Sequence, residues 1–166
     1  MKNLELYQEM QNKIAIIRIR GNFHVKKEVV YTMNMLRLYK KHSCVILDET
    51  KSNIGMINKM KDYVTWGELD NDTFKLLLTK RGKLPGNKAL TEEYLKEKLN
   101  ISYDDFSKEF FDSKKKLKDI PGLKLFFKLQ PPTKGFERKG IKKYFSMGGS
   151  LGYRKDKINE LIKRMA

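Results

Sequence analysis

Apolar and polar residues follow two different spacings along this chain, and each spacing predicts a type of element. Residues 13–19 read KIAIIRI, and this run of β-branched residues predicts a strand. Within residues 25–39, Val29, Met33 and Leu36 recur at helical spacing, which predicts an amphipathic helix with one buried face. We therefore expect a strand followed by a helix.

The same alternation continues in the following segments. Residues 42–47, HSCVIL, predict a second strand, and residues 62–67, DYVTWG, predict a third. Between them, residues 54–60 fit a short helix, with Ser52 and Asn53 supplying turn and N-cap chemistry. Because a lone small sheet must cover one side, we expect a three-stranded sheet that carries both helices on one face.

Beyond residue 69, strand signals become scarce and helical patterns prevail. Helices are predicted over residues 72–80, from Thr91 onward, over residues 104–111 and over residues 155–165. Ser102 and Asp105 have the spacing of a helix cap, while glycine and proline predict a loop over residues 81–88. Residues 123–129, LKLFFKL, fit either a strand or a short apolar segment that supports the packing without forming a strand.

One segment follows neither spacing and is strongly basic. Residues 130–149 read QPPTKGFERKGIKKYFSMGG, with five Lys or Arg, one Glu, two Pro, four Gly and three aromatic residues. Such a segment buries too little apolar surface to offset the entropy lost on ordering. We predict an extended arm that becomes ordered against a negative surface, and its cations, rings and glycines suit a folded RNA.

Net charge supports this interpretation. The chain carries +16 over 166 residues, of which residues 1–112 contribute +4 and residues 113–166 contribute +12. Such asymmetry is typical of proteins that meet nucleic acid or an acidic membrane surface. The sequence contains no run of 18 apolar residues, so we predict no membrane span. The closing helix lacks the aromatic residues of a membrane-surface helix, so nucleic acid is the favoured partner.

The sequence offers little for catalysis or metal binding. Its two histidines, His24 and His42, have no cysteine or carboxylate cluster at ligand spacing. Neighbouring carboxylates on a helix point about 100° apart and more often cap helices or face solvent. We predict no enzymatic activity, cofactor, metal site or small-molecule substrate. The single cysteine, Cys44, is expected to be a buried thiol, and the lack of a secretory signal indicates a cytoplasmic protein.

Basic residues in two places of the N-terminal half are candidate phosphate contacts. The first basic group surrounds the first strand-to-helix turn and consists of Arg18, Arg20, Lys26 and Lys27. The two lysines lie near a helix N-terminus, which disfavours cations, so they either hold a phosphate there or form a solvated pair. Lys80, Arg81, Lys83 and Lys88 lie in the predicted glycine- and proline-containing loop, where backbone N–H groups accompany them.

The arm supplies the remaining candidates. Its predicted RNA contacts are Lys134, Phe136, Arg138, Lys139, Lys142 and Lys143, with Arg154 loosely associated. The rings of Phe136 and Phe145 either stack on unpaired bases or pin the arm to the protein body. The lysine run at residues 114–118 is typical of a solvated face.

Several segments, taken in order, resemble a known family. They are IIRIRG at residues 16–21, MLRL at 35–38, GMINKMKDYVTWGE at 55–68, KRGKLPGNKALTEEYL at 80–95, PPTKGFERKGIKKYFSMGG at 131–149 and LGYRKDKINELIKRM at 151–165. The chain is similar to large-subunit ribosomal proteins of the L-thirty family in its archaeal long form, whose eukaryotic relative is called L-seven. Residues 1–12 have no counterpart in the short archaeal pattern and are expected to be a short helix or a frayed end.

The resemblance implies an α+β fold. The organisation is an N-terminal extension at residues 1–12, a β-α-β-α-β core domain at 13–68 with a three-stranded antiparallel sheet, and a mainly helical C-terminal subdomain at 69–166 that includes the basic arm at 130–150. It also implies a structural component of the large ribosomal subunit without enzymatic activity. RNA contacts are expected most directly at the first basic group, the 80–88 loop, Lys134, Phe136 and Arg138.

We therefore predict a cytoplasmic, ribosomal protein that binds large-subunit rRNA and neighbouring ribosomal proteins, contacts no membrane and does not homo-oligomerise. The alternative is a non-ribosomal RNA-binding assembly or processing factor. Such a factor would occur sub-stoichiometrically and would leave mature particles, whereas a structural component would remain with them.

Overall fold

The computed structural model describes residues 12–166, so the predicted N-terminal extension lies outside it apart from Asn12. Five strands form one sheet in the order β4-β2-β1-β3-β5. The strands are β1 (Lys13–Arg18), β2 (Ser43–Asp48), β3 (Val64–Glu68), β4 (Phe127–Lys128) and β5 (Gly152–Tyr153). The α+β class is confirmed, whereas the predicted count of three strands is too low.

Six α-helices occur within residues 12–166. They are α1 (Lys27–Met35), α2 (Lys51–Lys59), α3 (Asn71–Arg81), α4 (Glu92–Leu99), α5 (Tyr103–Phe111) and α6 (Lys157–Met165). Every helix predicted in this part of the chain is confirmed. As expected, the side chain of Ser102 caps α5 by accepting a hydrogen bond from the N–H of Asp105 at 3.2 Å. The cap of α2 is instead Thr50, whose Oγ1 accepts from the N–H of Asn53.

The central strand β1 fixes the register of the sheet. Its residue Ile16 lies opposite Val45 of β2 and Trp66 of β3, and both pairs are antiparallel. The two added strands extend the edges, because β4 pairs antiparallel with β2 and β5 pairs parallel with β3. The sheet is therefore mixed, and both added strands come from the C-terminal part of the chain.

Both faces of the sheet are covered. Alternate residues of β1 point to opposite faces, so Ile16 packs with Met33 of α1 and Ile57 of α2. Ile17 belongs to the other core, together with Phe74 of α3 and other C-terminal residues. The predicted helices on one face are confirmed, and the second layer explains why β1 is buried along its whole length.

The single cysteine and the two histidines differ in burial, and the predicted buried thiol is confirmed. Cys44 is fully buried, and burial raises the pKa of its thiol to about 12. His42 is a turn residue with a φ of 66°, and its N–H donates to the carbonyl of Arg18 at 2.7 Å. His24 is exposed. No helix within residues 12–166 is long and apolar enough to cross a bilayer.

Candidate nucleic-acid interface

The arm, residues 130–150, is irregular as predicted, but it lies along the protein body. The N–H of Thr133 donates to the carbonyl of Arg164 at 2.9 Å, which ties the arm to the last turn of α6. Farther along, the N–H of Phe145 donates to the carbonyl of Leu151 at 2.7 Å, and Phe145–Met147 form a short 3₁₀ helix. The expectation that an outside surface must order the arm is therefore wrong, because the body already holds it.

A buried ion pair clamps the middle of the arm. Arg154, only 3% exposed, donates from Nη1 and Nη2 to the two carboxylate oxygens of Glu137 at 2.5 and 2.7 Å. Its Nε donates to Oγ1 of Thr65 in β3 at 2.9 Å, and Nη2 also donates to the carbonyl of Ser150 at 3.0 Å. This bidentate geometry fixes the arm against the sheet.

Glu137 remains ionised inside this clamp. Burial by itself would raise the pKa of its carboxyl, but the hydrogen bonds donated by Arg154 and by the Ser150 hydroxyl outweigh it. The resulting pKa is lowered from 4.5 to about 2. Arg164 of α6 adds a third cationic contact at 3.3 Å. The carboxylate thus joins the arm to Arg154, which follows β5, and to α6 at neutral pH.

The five cations of the arm point outward. Lys134, Arg138, Lys139, Lys142 and Lys143 are all exposed. Within residues 12–166, none of them takes part in an ion pair. The arm therefore presents a row of uncompensated positive charge on a fixed backbone.

The rings of the arm pin it to the body, which is one of the two alternatives left open by the sequence. Phe136 is half-buried and lies 6.0 Å from the ring of His42. The guanidinium of Arg154 lies over the Phe145 ring at 4.6 Å. The hydroxyl of Tyr144 donates to the carboxylate of Asp62, in the turn before β3.

The same Asp62 connects the arm to the first basic group. Arg20 donates from Nη1 to the Asp62 carbonyl at 3.1 Å and lies over the Tyr63 ring at 4.9 Å. Lys26 and Lys27 are exposed at the start of α1, and Lys26 makes no side-chain cap bond. Arg20 and Tyr144 of the arm thus meet at Asp62, at the end of the sheet where β1 ends and β3 begins.

Arg18, predicted to contact RNA, lies inside the protein. It is 1% exposed, and burial lowers the pKa of its guanidinium. Nη1 donates to the carbonyls of Leu38 and Tyr39 at 2.8 and 3.0 Å, and Nε donates to the carbonyl of Arg20 at 2.9 Å. Like Arg154, it uses its donors to hold backbone in place. Sequence reasoning missed Glu137, although a single acid within a basic arm was a usable signal.

The second basic group is only partly in a loop: Lys80 and Arg81 belong to the last turn of α3, contrary to the prediction, and Lys83 and Lys88 lie in the loop that follows. Lys80 and Lys88 are exposed, whereas Arg81 and Lys83 are half-buried. Lys124 ties this loop down, because its N–H donates to the Lys83 carbonyl at 2.9 Å. Among the described residues, no hydrogen bond joins this loop to the arm. The structure therefore links Arg20 of the first basic group to the arm through Asp62, and within the described residues no hydrogen bond makes such a link for the second group.

The acidic, histidine and cysteine side chains of the described residues do not gather into a cluster. Within the described residues, no three His, Cys, Asp or Glu side chains come together as a possible metal site. Glu137, whose pKa is lowered, is engaged in the structural ion pair with Arg154. A mixed sheet covered on both faces, with a basic arm fixed against it, defines a small α+β scaffold protein of basic character.

Comparisons with known proteins place this scaffold in a family. The profile of the family described as Ribosomal protein L30p/L7e matches residues 14–64, which span β1 to the start of β3. The large ribosomal subunit protein uL30 of Methanococcus maripaludis strain S2 is 47% identical over 151 residues, covering 91% of this chain and 97% of the relative. The protein of the same name from Nanoarchaeum equitans is 48% identical over 150 residues, covering 90% and 96%.

The chain belongs to the ribosomal protein L30p/L7e family. It is a structural, non-enzymatic protein of the archaeal type of large ribosomal subunit, and its place is the cytoplasmic ribosome. The resemblance recognised in its ordered sequence segments is confirmed, as is the prediction that the protein is not an enzyme.

Proposed function

We propose that this protein binds the rRNA of the large subunit by neutralising phosphates along the arm and the adjoining end of the sheet, where β1 ends. The observation that carries the proposal is the set of five exposed arm cations, which form no ion pair within residues 12–166. Each cation placed against a phosphate releases condensed counterions, which favours binding. Neighbouring ribosomal proteins are further expected partners.

The clamp supports this proposal energetically. A segment that orders only on binding loses conformational entropy at that moment, which weakens its affinity. The Glu137–Arg154 ion pair and the backbone bonds to α6 hold the arm before RNA arrives. Recognition then rests on backbone shape, because the major groove of A-form RNA is too narrow for side chains to read.

A charge-matched pair of variants tests the proposal. One variant replaces Arg138, Lys139, Lys142 and Lys143 of the arm by Gln, and the control replaces Lys114, Lys115, Lys116 and Lys118 by Gln. Both lose four positive charges, but in the control group Lys114 and Lys115 already pair with Asp112 and Glu109. Filter binding to naked large-subunit rRNA is measured at several salt concentrations.

The arm variant is expected to bind more weakly and to reduce the slope of log K against log salt by about 0.7 to 0.9 for each phosphate that is no longer neutralised. The control is expected to bind nearly as the unmodified protein does. Equal losses of affinity in both variants would show that net charge, not the arm, governs binding. Thermal melting of both variants verifies that they remain folded.

Sedimentation separates the proposal from the alternative of an assembly or processing factor. A structural component remains one-to-one with mature large subunits through a sucrose gradient, whereas a factor is sub-stoichiometric. Membership of the ribosomal family favours the first outcome.

A further inference from the structure

The side chain of Phe23 is the most exposed large apolar side chain among residues 12–166, at 85% of its full area. It stands at the tip of a turn, in which the N–H of Val25 donates to the carbonyl of Asn22 at 3.4 Å. The next residue, His24, has a φ of 51° and meets the Phe23 ring edge-on, with ring centroids 4.1 Å apart. One face of the ring is thus left open to solvent.

This turn is held from below by the buried Arg18. Its Nη2 donates to Oδ1 of Asn22, and its Nε donates to the carbonyl of Arg20 at 2.9 Å. The same guanidinium is anchored on the carbonyls of Leu38 and Tyr39. A fully buried arginine thereby fixes the base of a turn whose tip carries an exposed ring.

The charges around the ring favour a nucleobase over an apolar protein surface. Arg20, Lys26 and Lys27 flank the turn in the sequence, and the two lysines are exposed. Within the described residues neither lysine belongs to an ion pair. An apolar partner covering this region would desolvate these cations at a cost. An RNA strand would supply a base for the ring and phosphates for the lysines.

We infer that Phe23 is a binding site for one unpaired base of RNA, which stacks on the open face of the ring while Lys26 and Lys27 contact the flanking phosphates. This inference rests on the proposed function and adds a base contact to it. Arg18 acts here as a positioning residue, because it holds the turn and does not reach the surface.

A matched set of ring variants tests the inference. Phe23→Leu keeps apolar character but removes the flat ring, whereas Phe23→Tyr keeps the ring. Tyr153→Leu serves as the control, since Tyr153 is 47% exposed on β5 and its hydroxyl donates to the acidic Glu68. All three are compared with the unmodified protein in filter binding to naked large-subunit rRNA.

Phe23→Leu is expected to bind about tenfold more weakly, the effect of losing one base–aromatic stack. Its salt slope is expected to be unchanged, because no charge is removed. Phe23→Tyr and Tyr153→Leu are expected to bind as the unmodified protein does.

Fluorescence supplies an independent measurement, because the chain has one tryptophan, Trp66. In a Trp66→Phe, Phe23→Trp double variant, the indole reports only on the turn. Added rRNA is expected to quench its emission and to shield it from acrylamide. Unchanged emission and accessibility in a variant that still binds rRNA would overturn the inference.

The outcomes distinguish the inference from the function on which it rests. If the unmodified protein binds with a steep salt slope and Phe23→Leu binds equally well, the base contact is absent while the proposed function stands. If the unmodified protein shows no salt-dependent binding, the proposed function itself fails. If Phe23→Leu binds rRNA normally but is missing from assembled subunits, the ring contacts a protein, which also overturns the inference.

Discussion

At the scale of single residues, burial decides what an arginine does. Arg18 and Arg154 lie beside exposed basic groups in the sequence, yet both are almost fully buried. Some of their partners are distant along the chain, since Arg154 donates to Thr65, 89 positions away, and Arg18 donates to the carbonyl of Leu38, 20 positions away. Local spacing cannot reveal such partners, so the sequence identified the basic regions but not which of their members face solvent.

Replacing Glu137 by Gln tests the clamp. The change leaves the buried guanidinium of Arg154 without its carboxylate, and breaking a buried pair of this kind typically costs about 3 kcal/mol or more. We expect the free energy of unfolding at pH 7 to fall by about 2 to 4 kcal/mol in urea titrations. Glu160→Gln is the control, because Glu160 is exposed on α6. Equal stability of the two variants would contradict the role of the clamp.

The clamp also predicts a pH dependence. The pKa of Glu137 is lowered on folding from 4.5 to about 2, so its stabilising contribution is complete above about pH 4.5 and is lost as the pH falls toward 2. The difference in the free energy of unfolding between the unmodified protein and Glu137→Gln should therefore shrink as the pH falls from about 4.5 to about 2. A stability difference that stays constant from pH 6 to pH 2.5 would exclude this carboxylate as the cause.

Arg18 provides a second test at this scale. Lysine cannot reproduce the forked donation to the carbonyls of Leu38, Tyr39 and Arg20. We expect Arg18→Lys to lower the free energy of unfolding by about 2 kcal/mol, measured as a shift of the urea midpoint at constant slope. Arg20→Lys should cost less than about 1 kcal/mol, because that side chain is partly exposed.

At the scale of elements, periodicity was a reliable guide where the elements are long. β1, β2, β3 and the six described helices carry enough residues to show a spacing. β4 and β5 have two residues each, too few to show a period; β4 lies within residues 123–129, for which a strand was one of two alternatives, and β5 was not predicted. Their pairing depends on where the C-terminal part docks, which no local pattern specifies. The arm was misjudged for the same reason, since its order comes from distant contacts.

Gly67 tests the packing of the sheet against α6 and the residues just before it, and Gly55 serves as the control. A Cβ added to Gly67 of β3 would lie 2.1 Å from the carbonyl oxygen of Lys155, whereas one added to Gly55 of α2 meets nothing within 4 Å. We expect Gly67→Ala to lower the free energy of unfolding by about 1 to 3 kcal/mol or more through overpacking. Gly55→Ala should raise it by up to about 1 kcal/mol, because alanine favours a helix. Calorimetry of both variants provides the comparison.

At the scale of the whole molecule, the sheet is the common centre of two cores. The face carrying Ile17, Cys44 and Ile46 packs against C-terminal residues, and the C-terminal part also supplies both edge strands, β4 and β5. The division into a core domain at 13–68 and a subdomain at 69–166 stays a prediction. The shared core indicates that the two parts depend on each other for stability.

A fragment of residues 1–68 tests this dependence. It retains β1 to β3 with α1 and α2 but exposes the apolar face that α3, α5 and α6 cover. We expect it to bind a hydrophobic dye and to unfold without a cooperative transition, as followed by circular dichroism. A sharp transition in the fragment would show that the core domain folds alone.

The clamp has a consequence for the order of events during synthesis. Translation delivers the arm cations and Glu137 before Arg154 and α6. A nascent chain that has emerged only as far as Lys143 therefore carries most of the basic segment without the guanidinium that shapes it. Incomplete chains would then carry the arm cations without the ion pair that fixes the arm. They should therefore compete poorly with complete chains for incorporation into an assembling subunit.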